Sequence, residues 1–217
     1  SDVCSSDLNS GSTLIGEHAS LWRKEEFEKV LIHELLHLIG ADFHYNHDGY
    51  DQLDNKIKNI FKIDGINSPN ETYNETLAGI INMCYKSVIY KINICVIYKK
   101  ELNFLYFQTA KLIKFFGGEK IEDLFNGLVI KQDTSALSYI ILKMVLFHNI
   151  IDSLNFINSI DIKCNNKDKI YKFTNFLFDQ INKKNYFDNV NKIYKMVYNK
   201  DYDKEKFIYK TLRMSAI

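Results

Sequence analysis

Apolar residues along this chain recur mostly at three- and four-residue intervals, the spacing of a helix face and not of a strand. In RKEEFEKVLIHELLHLIG (23–40), Phe27, Val30, Leu31, Leu35 and Leu38 fall on that spacing and Gly40 is a natural stop, which predicts a helix. Ahead of it, NSGSTLIGEHASLW (9–22) is Gly/Ser-rich and then mixed, so it reads as a loop with a short strand, the cut end of a larger sheet. Residues 41–67 are polar, carry HDG and IDGINS as turn signals, and leave room for a short helix near 51–61. The helix predicted over 68–90 has a marked start: Ser68 can N-cap it, Pro69 suits its first position, and Glu71 stands where a capping-box glutamate belongs. Further helices are predicted at about 99–116, 119–126, 133–158, 166–183, 186–198 and 203–213. Lys86 and Lys91 interrupt the apolar run at 80–97 and Lys143 that at 139–151, so neither reads as a membrane span. With no internal repeat and no composition break, the expectation is one mainly α (α+β) domain over 9–217, with a small, N-terminally truncated strand region packed on the 23–40 helix.

Composition changes this picture little. At 217 residues, 46% hydrophobic and 14% aromatic, the chain can bury a proper core and is not a disordered one. The formal charge of +1 gives no electrostatic reason to expect nucleic acid or a membrane as partner. The first eight residues, SDVCSSDL, resemble the in-frame translation of a sequencing adapter and are set aside from fold reasoning as a tag would be. Without Asp2 and Asp7 the acids fall from 27 to 25 against 28 basic residues, a charge of +3. Cys4 goes with that segment; Cys84, Cys95 and Cys164 are widely spaced and lack CxxC spacing, so they read as buried free thiols of a reducing compartment.

The chemistry concentrates in HELLHLIGADFHYNH (33–47). Residues i and i+4 of a helix share a face about 6 Å apart, so His33 and His37 can hold one metal ion through their imidazoles. Glu34 lies one step round the same turn, where it can reach a metal-activated water without being a ligand. Zinc lowers the pKa of such a water to about 7, and a carboxylate can take its proton and pass it to the leaving amine. The competing reading is two histidines on a surface helix.

The third ligand has three routes. H-E-x-x-H-x-x-G-x-x-H matches at Gly40, but its last position is Phe43; Asp42 falls one residue early and His44 one late. His47 fits no spacing rule, and both later histidines read as polar-loop residues. A glutamate on a later helix is the third route, and NETYNETLAGIIN (70–82) offers two. Glu75 follows Asn74 and has Ala78 three residues on, a small residue that allows close helix approach. Glu71 follows Asn70 and has Glu75 four residues on, so Glu71 would bind the metal and Glu75 would orient a ligand histidine. Glu71 also has its capping role as an explanation; Glu75 is therefore preferred as ligand, with Glu71 the alternate.

Together, RKEEFEKVLIHELLHLIGADF and NETYNETLAGIIN resemble the gluzincin-type zinc metallopeptidases, and more narrowly metallopeptidases encoded by large DNA viruses. The resemblance covers about 23–43 and 70–82. It implies a zincin-like domain, a Zn2+ cofactor, a peptide or protein substrate, and a cytoplasmic or virus-associated setting. It implies His33 and His37 as ligands, Glu34 as general base, and Glu75 or Glu71 as third ligand. The gap from His37 to either glutamate is longer than in the best-known gluzincins. Tyr139 and His148, nine residues apart in one predicted helix, are the candidates for stabilising the oxyanion. Two other classes stay open: an inactive binding module with the same fold, and a helical interaction protein with a chance motif.

Overall fold

A computed structural model describes residues 11–14, 16–22, 26–41, 49–160 and 166–198. The front of the chain forms an antiparallel hairpin, β1 (Gly11–Leu14) and β2 (His18–Leu21), registered Gly11 to Leu21 and Leu14 to His18. It packs on α1 (Phe27–Leu38), the predicted motif helix. Gly40 ends α1 as expected: it turns left-handed at φ 65°, and the Gly40 and Ala41 amides close back on the His37 and Leu36 carbonyls. Helix α2 (Tyr50–Ile60) buries Leu53 and Ile57, four residues apart on one face.

Two short strands escape the sequence reading. β3 (Lys62–Gly65) and β4 (Val129–Gln132) pair in parallel, and each is four residues long. Gly65, at φ 123°, sits so close to the Gln132 carbonyl that no side chain could be built there. Gln132 also donates from Nε2 to the Ile66 carbonyl at 2.6 Å.

Helices α3 (Asn70–Tyr90) and α4 (Ile94–Phe115) form a long hairpin. Lys91 turns it in the left-handed region, and the Asn93 side chain caps α4 by accepting from the Cys95 amide. The helix predicted at 119–126 is a 3₁₀ turn, Ile121–Phe125. The one predicted at 133–158 is broken into three. A π-helical stretch (Leu137–Leu142) runs into α5 (Lys143–His148), and α6 (Ile150–Ser159) leaves Asn149 at 97° to them. Helices α7 (Asn166–Lys183) and α8 (Phe187–Tyr198) complete the described chain; the helix expected at 203–213 lies outside the described residues.

The fold is thus mainly helical with a small strand region in two sheets. Its core is built round the π-helical stretch and α5, where Leu137 and Ile140 through Phe147 are all buried against α3, α4 and α7. Among the described residues no single helix is long and apolar enough to cross a membrane. The thiols require a correction: Cys84 and Cys95 are exposed, because they line an open groove between the α3–α4 hairpin and α6. Cys4 and Cys164 lie outside the described residues.

Candidate metal centre

Lys29, His33 and His37 are spaced four apart on α1, and Glu71 and Glu75 four apart on α3, so each set shares a face. The two faces meet with the helices running in opposite directions: His37 meets Glu71, His33 meets both glutamates, and Lys29 meets Glu75. His33 and His37 present their Nε2 atoms to one point, 3.0 Å apart. Glu71 Oε2 stands 3.3 Å from His33 Nε2, and Glu71 Oε1 stands 3.6 Å from His37 Nε2.

These distances can be compared with what an ion requires. Nitrogen and oxygen donors held tetrahedrally about 2.0–2.1 Å from zinc stand about 3.3 Å from one another. The 3.0 Å between the histidine nitrogens and the 3.3 Å from His33 Nε2 to Glu71 Oε2 lie near that value, and the 3.6 Å from His37 Nε2 is to the other oxygen of the same carboxylate. Glu71 Oε2 is also a buried carboxylate oxygen with no hydrogen-bond donor. His33, His37 and Glu71 together could hold a metal ion.

The preference for Glu75 as third ligand does not survive this geometry. Glu75 Oε1 lies 2.8 Å from His33 Nδ1, on the edge of the ring opposite the converging nitrogens. Its carboxylate is also shared between Lys29 and Lys143 Nζ, the latter at 3.3 Å, and Lys143 lies 3.6 Å from Glu101. Lys29, Glu75 and Lys143 are fully buried and Glu101 nearly so. Two lysines and two glutamates therefore neutralise one another in the interior, with the Glu75 carboxylate set against the Nδ1 edge of the His33 ring. The capping role assigned to Glu71 also fails. Pro69 is the N-cap and makes no side-chain bond, Ser68 contributes only its carbonyl to the Glu71 amide, and the Glu71 carboxylate is left to face the histidines.

The charges follow from these contacts. Burial works against the ionised form of Glu75, but Lys29, Lys143 and His33 outweigh it and hold its pKa well below the usual carboxylate range. Burial likewise opposes ionised Glu71, yet its contacts with His33 and His37 bring its pKa down to about 2. For His33, burial is outweighed by the two carboxylates and the pKa is raised. Burial dominates at Lys29 and lowers its pKa.

Glu34 is held from the strand side. Thr13 donates its hydroxyl to Glu34 Oε2 at 2.6 Å, with a longer contact to the Glu34 carbonyl at 3.1 Å. Gly11 is needed beside it, since a Cβ there would lie 2.7 Å from Glu34 Oε1. Asn74 reaches across from α3 to donate to the His33 carbonyl at 3.2 Å, which ties the two helices together. Ala78 is fully buried on α3, and Gly79 beside it allows Phe147 of α5 to approach within 2.7 Å of where a Cβ would stand.

Of the two oxyanion candidates, only Tyr139 is beside the centre, its ring centroid 6.5 Å from that of His33. It rides on the π-helical stretch, an irregularity common near functional sites. His148 is engaged elsewhere: its Nδ1 shares a hydrogen bond with the Tyr106 hydroxyl at 2.5 Å, and its ring packs on Tyr186. Asp42, Phe43, His44 and His47 lie outside the described residues. Sequence reasoning missed Lys29, Lys143, Glu101 and Thr13. Lys143 did leave a signal, since it interrupts an apolar run and so needs a buried counter-charge, whereas Lys29 lies opposite the apolar stripe of α1 and left none.

No family model matches this chain, and no curated protein or solved structure matches it. The reading of the site therefore rests on its geometry.

Proposed function

We propose that this chain is a zinc-dependent peptidase with a zincin-like arrangement, of the gluzincin kind that its two motifs resemble. The observation that carries the reading is the convergence of His33, His37 and Glu71 at 3.0–3.6 Å on a helix pair whose first helix also carries Glu34, next to His33 in sequence. When bound there, zinc would supply a Lewis acid for the scissile carbonyl and acidify water. The chain's own residues do the rest. Glu34 takes the proton of the attacking water and returns it to the leaving amine. Thr13 orients the Glu34 carboxylate, and Glu75 holds the His33 ring so that Nε2 points at the metal position. Tyr139 is the nearest candidate to donate to the oxyanion.

A second reading keeps the metal and drops the hydrolysis. It is favoured by Glu34 being buried and already hydrogen-bonded to Thr13, which describes a carboxylate engaged in structure. Two measurements separate these readings: bound metal per chain, and cleavage of an unfolded protein substrate by the parent and by Glu34→Gln. The peptidase reading requires about one zinc per chain in both proteins and cleavage only by the parent. Equal metal with no cleavage by either supports the binding module. A folded parent that binds no zinc refutes both and leaves a helical interaction protein.

A further inference from the structure

The tip of the α3–α4 hairpin carries an apolar surface unrelated to the metal centre. Val88 is 75% exposed and Ile89 and Tyr90 54% each, and Ile92, Ile94 and Val96 continue the patch into α4. Large contiguous apolar patches mark interaction sites, whereas single exposed apolar residues do not. The patch runs into an open apolar groove of about 630 Å³ between the hairpin and α6, with Met83, Tyr98, Ile151 and Leu154 among its walls.

Charge says what covers it. From Thr76 to Lys100 the sequence has four lysines and no carboxylate. Lys91, Lys99 and Lys100 are exposed, and Lys86 reaches Glu28 at 3.6 Å. Among the described residues, Glu28 also accepts from the Tyr90 hydroxyl at 3.4 Å, and Asp152 in the groove wall is met by Lys183 at 2.6 Å. An exposed wedge of branched aliphatics and tyrosine, rimmed by lysine, is what the interface of an anionic bilayer selects. The whole-chain charge of +1 conceals this asymmetry. The segment after Tyr198 is a poor alternative occupant. Tyr198 lies by Lys114, at the opposite end of α4, and residues 199–217 carry five basic side chains against three acidic ones.

We infer that this hairpin tip seats the protein on a lipid surface rich in anionic headgroups. The metal centre would then stand off that surface by about 25 Å, the rise of the 17 residues from Glu71 to Val88. The inference does not depend on the peptidase reading.

The test is co-sedimentation with vesicles of phosphatidylcholine alone and of phosphatidylcholine with phosphatidylserine, at low and high salt. The parent should bind the anionic vesicles, be weakened by salt, and bind the neutral ones little. Each lysine neutralised should cost about fivefold, so Lys91→Gln with Lys99→Gln should lose about 25-fold. Val88→Ser with Ile89→Ser should abolish binding. Both pairs are exposed, so unchanged melting and metal content verify the fold. Equal binding to both vesicle types overturns the inference. So does failure to bind either, which makes the patch a protein contact. A dimer that dissociates in the Val88→Ser, Ile89→Ser protein, without vesicle binding, assigns the patch to a second copy of this chain.

Discussion

Glu71 and Glu75 are one helical turn apart on the same face, yet their removal should have opposite signatures. Glu75→Gln takes the central carboxylate from two fully buried lysines and leaves Glu101, 3.6 Å from Lys143, to balance both. Breaking a buried ion pair by removing one partner costs about 3–5 kcal/mol. For a chain of this size each kcal/mol is worth about 2–4 °C, so the midpoint should fall by about 6–20 °C. The folded fraction should still bind metal, about 10–100-fold more weakly, because His33 has lost only the group that orients it. Glu71→Gln should do the reverse: no buried lysine depends on it, so the melting loss is smaller, while metal binding is lost. A double variant supplies the control. Adding Lys143→Met to Glu75→Gln removes one orphaned ammonium and should recover part of the lost stability. The assay is metal titration beside thermal unfolding of metal-free protein at neutral pH. If Glu75→Gln melts like the parent, or if folded Glu71→Gln still binds metal tightly, the division of roles between these glutamates is wrong.

Other outcomes follow from single contacts. Gly11→Ala pushes on a Glu34 carboxylate that Thr13 already fixes, so cleavage should fall at least tenfold with metal content unchanged, measured on one preparation. Gly79→Ala drives a methyl into the Phe147 ring, and urea unfolding should report a loss of about 1–3 kcal/mol. Burial lowers the His148 pKa, so the unfolded chain takes up a proton at higher pH than the folded one. Stability from this group is therefore full above the unfolded value of 6.5 and falls as pH drops below it. His148→Gln should flatten that part of the pH–melting curve.

Helices α2, α7 and α8 were legible because each buries a face whose period the sequence displays, whereas α1 buries Lys29, Val30, His33, Glu34 and Leu36 and leaves Phe27 and Leu35 of the expected apolar stripe exposed. Helix α1 and its glycine stop, α2, α3, α7 and α8 all lie within a few residues of expectation. Strands β3 and β4 were not legible, since KIDG and VIKQ are too short to show alternation and each is defined by a partner more than sixty residues away. Asn149, which bends the predicted 133–158 helix, gives no local warning of the kind proline or glycine does. At the site, the two histidines and their spacing were readable from helix geometry alone. The choice between Glu71 and Glu75 was not. It turns on Ser68 failing to cap α3 and on Lys29 and Lys143 reaching Glu75, and both are tertiary facts. The lysine of an apolar run was read as an interruption, when it is one half of a pair whose other half comes from a different helix.

The buried quartet also sets an order on synthesis. Its members enter the chain at positions 29, 75, 101 and 143, so a nascent chain that has emerged only to α4 holds Lys29, Glu75 and Glu101, two acids and one base. Lys29 can balance Glu75 at that stage, and it is the charge of Glu101, 3.6 Å from Lys143 in the folded chain, that awaits the second base. Lys143 then brings the four buried charges to neutrality. The His33, His37 and Glu71 group that could hold a metal ion is thus complete in sequence by Glu71, while the charges packed behind it are balanced only once Lys143 has been added.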